Sequence, residues 1–150
     1  MAILTKAVSV DEAGQLASLH QKCFTDSWGS KEFAELMNNP VVLGLIHTQD
    51  KKDIGMALLQ TIAGETEILT FGIVPAYRGK GLGYGLLQAC VNRAVICGAR
   101  AMFLEVSSDN HAARNLYSGF GFQQVSVRKA YYADRSDALI CRLSLSSASL

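Results

Sequence analysis

Val74-Pro75-Ala76-Tyr77-Arg78-Gly79-Lys80-Gly81-Leu82-Gly83-Tyr84-Gly85-Leu86-Leu87 decides the reading of this chain. It has the pattern of a strand end, a tight glycine-rich turn and the first turn of a helix. Glycine has no Cβ, so the backbone bends sharply and its N–H groups come directly against a ligand. The helix behind the turn aims its unpaired N–H groups and the positive end of its dipole at the same spot. Such a place binds phosphate, and Arg78 and Lys80 add two cations beside it.

Two phosphate-binding patterns fail on spacing. A Walker A loop needs Ser or Thr after Gly-Lys to hold magnesium, whereas Gly79-Lys80 is followed by Gly81. The dinucleotide fingerprint needs a third glycine three residues after the second, where this chain has Tyr84 or Leu86. What fits is Arg-x-x-Gly-x-Gly, from Arg78 to Gly83. A glycine-rich turn without a ligand is the alternative that this stretch alone leaves open.

Working outward, the chain has 150 residues, suited to a single domain (1–150) with a core of its own. Apolar residues make up 49%, which excludes a disordered chain. A net charge of +1 argues against a general binder of nucleic acid or membrane surfaces. The N-terminus lacks the apolar core of a signal peptide, and no apolar run approaches the roughly 20 residues of a membrane span. Cys23, Cys90, Cys97 and Cys141 show no metal-ligand spacing, so no metal is expected, and His20, His47 and His111 are scattered. Cys90 and Cys97 read as small core residues of one helix. A reducing, cytoplasmic setting and a monomer are the simplest expectations.

Residues 2–8 read as a strand, and Ser9 with Glu12 as a capping box opening a helix to about Phe24. A short helix spans 30–38, and strands are expected at 41–48, 54–62 and 66–74. A helix from Gly81 to Ile96 ends at Gly98. Residues 101–106 form a strand, Asp109 caps a helix to about Ser118, and strands close the chain near 122–132 and 137–144, before a Ser-rich tail at 144–150. The alternation indicates an α/β sheet covered by helices.

A second constellation lies in the stretch from Leu104 to Phe122. Glu105 interrupts an apolar strand, where a carboxylate is costly unless partnered or functional. Burial would make it a better proton acceptor at neutral pH. Asn110 and Tyr117 are seven residues apart and project from one helix face: an amide for a cofactor and a phenol with a proton to give. Each has a plain alternative. Glu105 would cap a turn or pair with an arginine, Tyr117 would be a half-buried aromatic, and Asn110 would cap a helix.

Taken together, these residues make the chain resemble the GNAT superfamily of acetyltransferases, and within it the RimI-type ribosomal-protein-alanine N-acetyltransferases. The likeness runs nearly end to end. It rests on Phe24 and Trp28, Arg78 to Gly83, Leu104-Glu105-Val106, Asn110-x-x-Ala113, Leu116-Tyr117, Gly119 to Phe122, Arg128-x-x-Tyr131-Tyr132 and Asp137-Ala138-Leu139. The departures are Gly29 between Trp28 and Ser30 and a charged loop from Gln49 to Asp53, both expected near the acceptor entrance.

The resemblance implies a mixed, mostly antiparallel sheet of about seven strands, splayed between the fourth and fifth, with helices on both faces. It implies acetyl-CoA as co-substrate, its pantetheine arm in the gap. Phe71, Gly72 and Ile73 would hold that arm and the acetyl carbonyl through their backbone, and Arg78, Gly79, Lys80, Gly81, Leu82 and Gly83 the pyrophosphate. Glu105 would be the base, Tyr117 the acid and Asn110 a cofactor contact, with Trp28, Tyr131 and Tyr132 facing the acceptor peptide. Cross-strand packing is the other reading of the two tyrosines.

Direct transfer to an amine is the implied chemistry. An α-amino group titrates near about 7.7–8.0 and lysine near about 10.4, so deprotonation at pH 7 costs roughly 1 against 4–5 kcal/mol. One glutamate suits the N-terminal amine of a protein, here that of a ribosomal protein. No cysteine has a neighbouring histidine or helix N-terminus to activate it, which disfavours an acetyl-cysteine route. Two rivals remain open: a small-amine or protein-lysine acetyltransferase on the same scaffold, and a catalytically inactive acyl-CoA sensor.

Overall fold

A computed structural model describes residues 2–145, so the Ser-rich tail beyond Leu145 lies outside the described residues. The elements run β1 (Ile3–Val8), α1 (Ala13–Cys23), α2 (Ser30–Met37), β2 (Val42–Gln49), β3 (Lys52–Ile62), β4 (Glu65–Ile73), α3 (Leu82–Ile96), β5 (Ala101–Ser107), α4 (His111–Phe120), β6 (Gln123–Arg128) and β7 (Ala138–Ser144). The strands form one sheet in the order β1-β2-β3-β4-β5-β7-β6. Neighbours are antiparallel except β4 and β5, which run parallel. This is the mixed α/β sheet, open between its fourth and fifth strands, that the resemblance implied.

The apolar run of β3 shows why helices cover both faces. Side chains alternate across a strand, so Met56 and Leu58 enter one core with Leu16, Leu19, Phe33 and Ile46. Ala57 and Leu59 enter the other, with Leu86, Leu87, Cys90 and Leu104. The first core lies under α1 and α2, the second under α3 and α4.

The feature that creates a site is the short meeting of β4 and β5. They pair only at Glu65↔Ala101, Thr66↔Met102 and Glu67↔Phe103. Beyond Glu67, β4 continues to Ile73 on β3 alone. Val74 N–H donates to Ile54 C=O at 2.8 Å. In an antiparallel ladder the direction of the backbone groups alternates. Gly72 therefore spends its N–H on β3, while the amides of Phe71 and Ile73 face the gap.

Four local expectations are corrected. The capping box is present, with Ser9 N–H donating to Glu12 at 2.7 Å, but it closes a short 3-10 turn (Val10–Glu12) leading into α1. Asn110, not Asp109, caps α4: α4 begins at His111, and the Asn110 Oδ1 accepts the Ala113 N–H at 3.2 Å. The strand expected to reach residue 132 stops at Arg128. There Asp137 captures the Ala130 N–H at 2.9 Å and Lys129 at 3.4 Å, and Ala130 turns left-handed at φ 47°. Cys90 is buried as expected, but Cys97 is exposed as the last residue of the α3 cap.

Candidate active site

Gly79 and Gly81 set the turn, both in the left-handed region at φ 76° and 78°, where a Cβ costs about 1–2 kcal/mol. Space is not the reason, since a Cβ at either would meet nothing within 4 Å. Gly81 is the N-cap of α3 and no side chain caps that end, so the first amides of a fifteen-residue helix stay available to an anion. Gly83 is needed for closeness instead: a Cβ there would press on Leu116 Cδ2 at 3.2 Å.

The turn opens into a cleft of about 790 Å³. One wall is β4 from Ile68 to Ile73, another is Leu104 to Ser107 of β5, and a third is Asn110, Ala113, Leu116 and Tyr117 around α4. Thus Phe71, Gly72, Ile73, Arg78, Gly79, Gly81, Leu82, Gly83, Glu105, Asn110, Tyr117 and Tyr132, far apart in sequence, line one space. Lys80, Trp28 and Tyr131 do not line it. Lys80 lies over the Tyr77 ring at 5.6 Å. Trp28 borders a shallow groove with Ala17 and Ser30. Tyr131 is exposed, with Arg128 over its ring at 5.3 Å. The charged loop from Gln49 to Asp53 also lies away from the cleft lining.

Arg78 does a different job from the one its charge suggests. Its Nε donates to the Ile73 carbonyl at 2.8 Å and its Nη2 to the Cys23 carbonyl at 3.3 Å. It ties the end of β4 to the end of α1. Gly72 completes that junction, since a Cβ would meet Cys23 Cβ at 3.0 Å and Phe24 Cε2 at 3.2 Å.

The burial expected of Glu105 is absent. Its side chain is exposed because β4 leaves β5 just before it, opening the sheet at its flank. Its partner is Tyr132, whose hydroxyl donates to Glu105 Oε1 at 3.5 Å. Partial burial, and then the Glu105 carboxylate, push the Tyr132 phenol up to about 12. Glu105 also borders a second cleft of about 340 Å³ with Gln60, Glu65, Glu67 and Arg128. By strand alternation that cleft and the Glu105 side chain lie on the α1 and α2 face of the sheet, while the first cleft reaches Glu105 through the gap between β4 and β5.

Tyr117 is buried, its ring edge-on to Phe71 at 6.0 Å and Phe122 at 5.9 Å. Burial pushes its phenol far up, so the hydroxyl stays protonated. Asn110 takes the helix-cap role, its Oδ1 accepting from Ala113 N–H at 3.2 Å. Cap and cleft lining coincide in that one residue.

A profile of the Acetyltransferase (GNAT) family matches residues 13–122. The chain belongs to that family. The [ribosomal protein bS18]-alanine N-acetyltransferase of Escherichia coli (strain K12) is 30% identical over 131 residues, covering 85% of this chain and 88% of that protein. The enzyme of the same name from Haemophilus ducreyi is 33% identical over 116 residues, covering 73% and 80%. The crystal structure of the ribosomal-protein-S18-alanine N-acetyltransferase from Escherichia coli superposes with a TM-score of 0.87 at 27% identity, over 99% of each chain. The protein is thus a GNAT acetyltransferase with RimI-type relatives.

Three features of this GNAT site escape the sequence reading. Tyr132 touches Glu105, and Glu65 and Glu67 give the second cleft its charge. His20 is buried and bonded to both Trp28 and Thr70. Only His20 left a trace in sequence, since it continues the apolar phase of Ala13 and Leu16 on α1. Among the described residues, no group of three His, Cys, Asp or Glu side chains is placed to hold a metal, and no helix is long and apolar enough to cross a membrane.

Proposed function

We propose that this protein moves an acetyl group from acetyl-CoA to the N-terminal amine of a protein, a small-subunit ribosomal protein with N-terminal alanine being the acceptor class. The observation that carries the reading is Glu105: one carboxylate borders both the cleft in the gap between β4 and β5 and an open acidic cleft beside it. The names of the relatives support the acceptor class. On this reading the setting is cytoplasmic, and the chain acts as one domain and as a monomer.

The residues fit acetyl-CoA on their own chemistry. The left-handed Gly79 and Gly81 and the uncapped start of α3 suit a diphosphate. The amides of Phe71 and Ile73, without a strand partner in the gap, suit the carbonyls of an extended arm and of the acyl group. When bound, acetyl-CoA supplies an activated acetyl thioester.

The chain's own groups then have these tasks. Glu105 takes a proton from the incoming amine, directly or through water, and Tyr132 holds the carboxylate by its hydroxyl. Phe71 and Ile73 N–H groups stabilise negative charge on the acyl oxygen; one such donor is typically worth about 2.7–4 kcal/mol in acyl transfer. Tyr117 keeps its proton by burial and gives it to the departing sulfur. Asn110 offers its amide nitrogen beside the capped start of α4.

Glu65, Glu67 and Glu105 against Arg128 make the second cleft acidic. That favours a cationic acceptor and gives a small polyamine a specific claim on the same site. A thiol-release assay decides between them, comparing an alanine-terminated ribosomal peptide, an N-blocked lysine peptide and spermidine. The expected result is turnover of the alanine peptide at least tenfold (roughly 1.4 kcal/mol) above the others. Preference for spermidine would replace the peptide reading, and no turnover by any of the three would leave a sensor.

A further inference from the structure

The mechanism makes no use of a buried histidine beside the cleft. His20, in the last turn of α1, is only 3% exposed. Its Nδ1 accepts the Trp28 backbone N–H at 3.0 Å, which leaves the ring proton on Nε2, 3.0 Å from Thr70 Oγ1. The ring stacks on Trp28 at 4.8 Å and 24°, tilts against Phe24 at 4.5 Å and meets the edge of Phe33 at 5.4 Å. One side chain therefore joins α1, the segment from Phe24 to Gly29, α2 and β4.

The β4 end of this bracket matters for the site. Thr70 precedes Phe71, whose amide faces the gap, and Thr70, Phe24 and Cys23 all line the donor cleft. Arg78 clips Ile73 to the same end of α1 three residues further on. The open edge of β4 is thus held at both ends against α1, by His20 at Thr70 and by Arg78 at Ile73.

We propose that His20 is a positioning residue for acetyl transfer: gripping the Trp28 amide and the Thr70 hydroxyl, it holds the 24–29 segment against the open edge of β4 and so sets the Phe71 amide at the acyl group. The inference rests on the reading that an amine acceptor is acetylated here. It assigns to Trp28 an indirect role, through the bracket, since its ring does not line the donor cleft. The pyrophosphate end, built at Gly79–Gly83, makes no contact with His20 in this arrangement.

Three variants test it. H20F keeps a ring and removes both bonds; H20N places an amide oxygen near Nδ1 and restores the acceptor for Trp28; T70V removes only the hydroxyl. H20F is expected to lower kcat about tenfold, the size of losing a buried hydrogen bond, with the acceptor KM changed less than about threefold. H20N is expected to return kcat to within about threefold of wild type. Trp28, the single tryptophan, reports the bracket separately: its emission is expected to shift to the red in H20F and to recover in H20N. An unchanged kcat in H20F overturns the proposal, as does a loss of kcat without rescue by H20N.

If H20F does not fold, T70V carries the test, with an expected fall in kcat of about threefold and no change in the acceptor KM. No change in T70V then overturns it. Failure of the wild type to acetylate any amine overturns the functional reading alone. His20 is in that case judged by Trp28 emission, where an H20F spectrum identical to wild type overturns the bracket.

Discussion

The turn from Arg78 to Gly83 and the segment from Phe24 to Gly29 border the same region but are made of different material. The turn offers backbone: left-handed glycines, uncapped helix amides and, next to them, the free amides of Phe71 and Ile73. Its two cations are engaged within the protein, Arg78 with the carbonyls of Ile73 and Cys23 and Lys80 with the ring of Tyr77. The second region is held by side chains: His20 on Trp28 and Thr70, and across the cleft Tyr132 on Glu105. The turn should therefore tolerate side-chain loss and resist backbone change, and the second region should behave in the opposite way.

The largest expected effect is at the carboxylate where the regions meet. E105Q should lower kcat/KM by about 10²–10⁴, the range for a lost general base, with acetyl-CoA Kd within about twofold by calorimetry. A normal rate would remove Glu105 from the chemistry. Next, Y117F should slow kcat by about 10² in steady-state assays, the lower end for a lost general acid. Retention of the wild-type rate would return Tyr117 to packing against Phe71 and Phe122.

G81A forces a Cβ into φ 78° and should weaken acetyl-CoA about tenfold in calorimetry, from roughly 1–2 kcal/mol of strain. K80A should alter that Kd by less than about threefold, because an exposed cation–π contact is worth only about 0.5–1 kcal/mol. A larger loss in K80A than in G81A would break the contrast between backbone and side chains. The smallest effect concerns pH. Burial lowers the proton affinity of His20, with Glu32 of α2 acting weakly against it, and burial alone lowers that of His47. Both rings bind protons more weakly folded than unfolded. Their contribution is therefore complete above pH 6.5 and is lost as pH falls past it toward the lower native values. Tm should drop by a few degrees between pH 7 and 5, and less so in H20N; a flat or rising Tm would contradict this sign.

Much of the donor end was legible because it is local. The glycines, the helix start and the preceding strand lie within one stretch of sequence, and backbone conformation follows from residue type there. The residue types of Glu105, Asn110 and Tyr117 were legible too, but not their surroundings. Glu105 is exposed because β4 parts from β5 after Glu67, a register set by the whole sheet. Tyr132 leaves the strand because Asp137 captures Ala130 and Lys129. The bond from His20 to Thr70 spans fifty positions, beyond the reach of any periodic pattern. Asn110 shows how two readings merge, since a helix cap and a cleft-lining amide are one residue.

The parting of β4 from β5 has one more consequence. Unpaired strand rims on a protein's outside recruit the strands of other chains, which is how aggregates begin. Here the rim from Ile68 to Ile73 is sunk inside the molecule, walled by α4 and by the Cys23–Phe24 shoulder. The molecule thereby keeps a sticky surface in permanent readiness without exposing it to its neighbours.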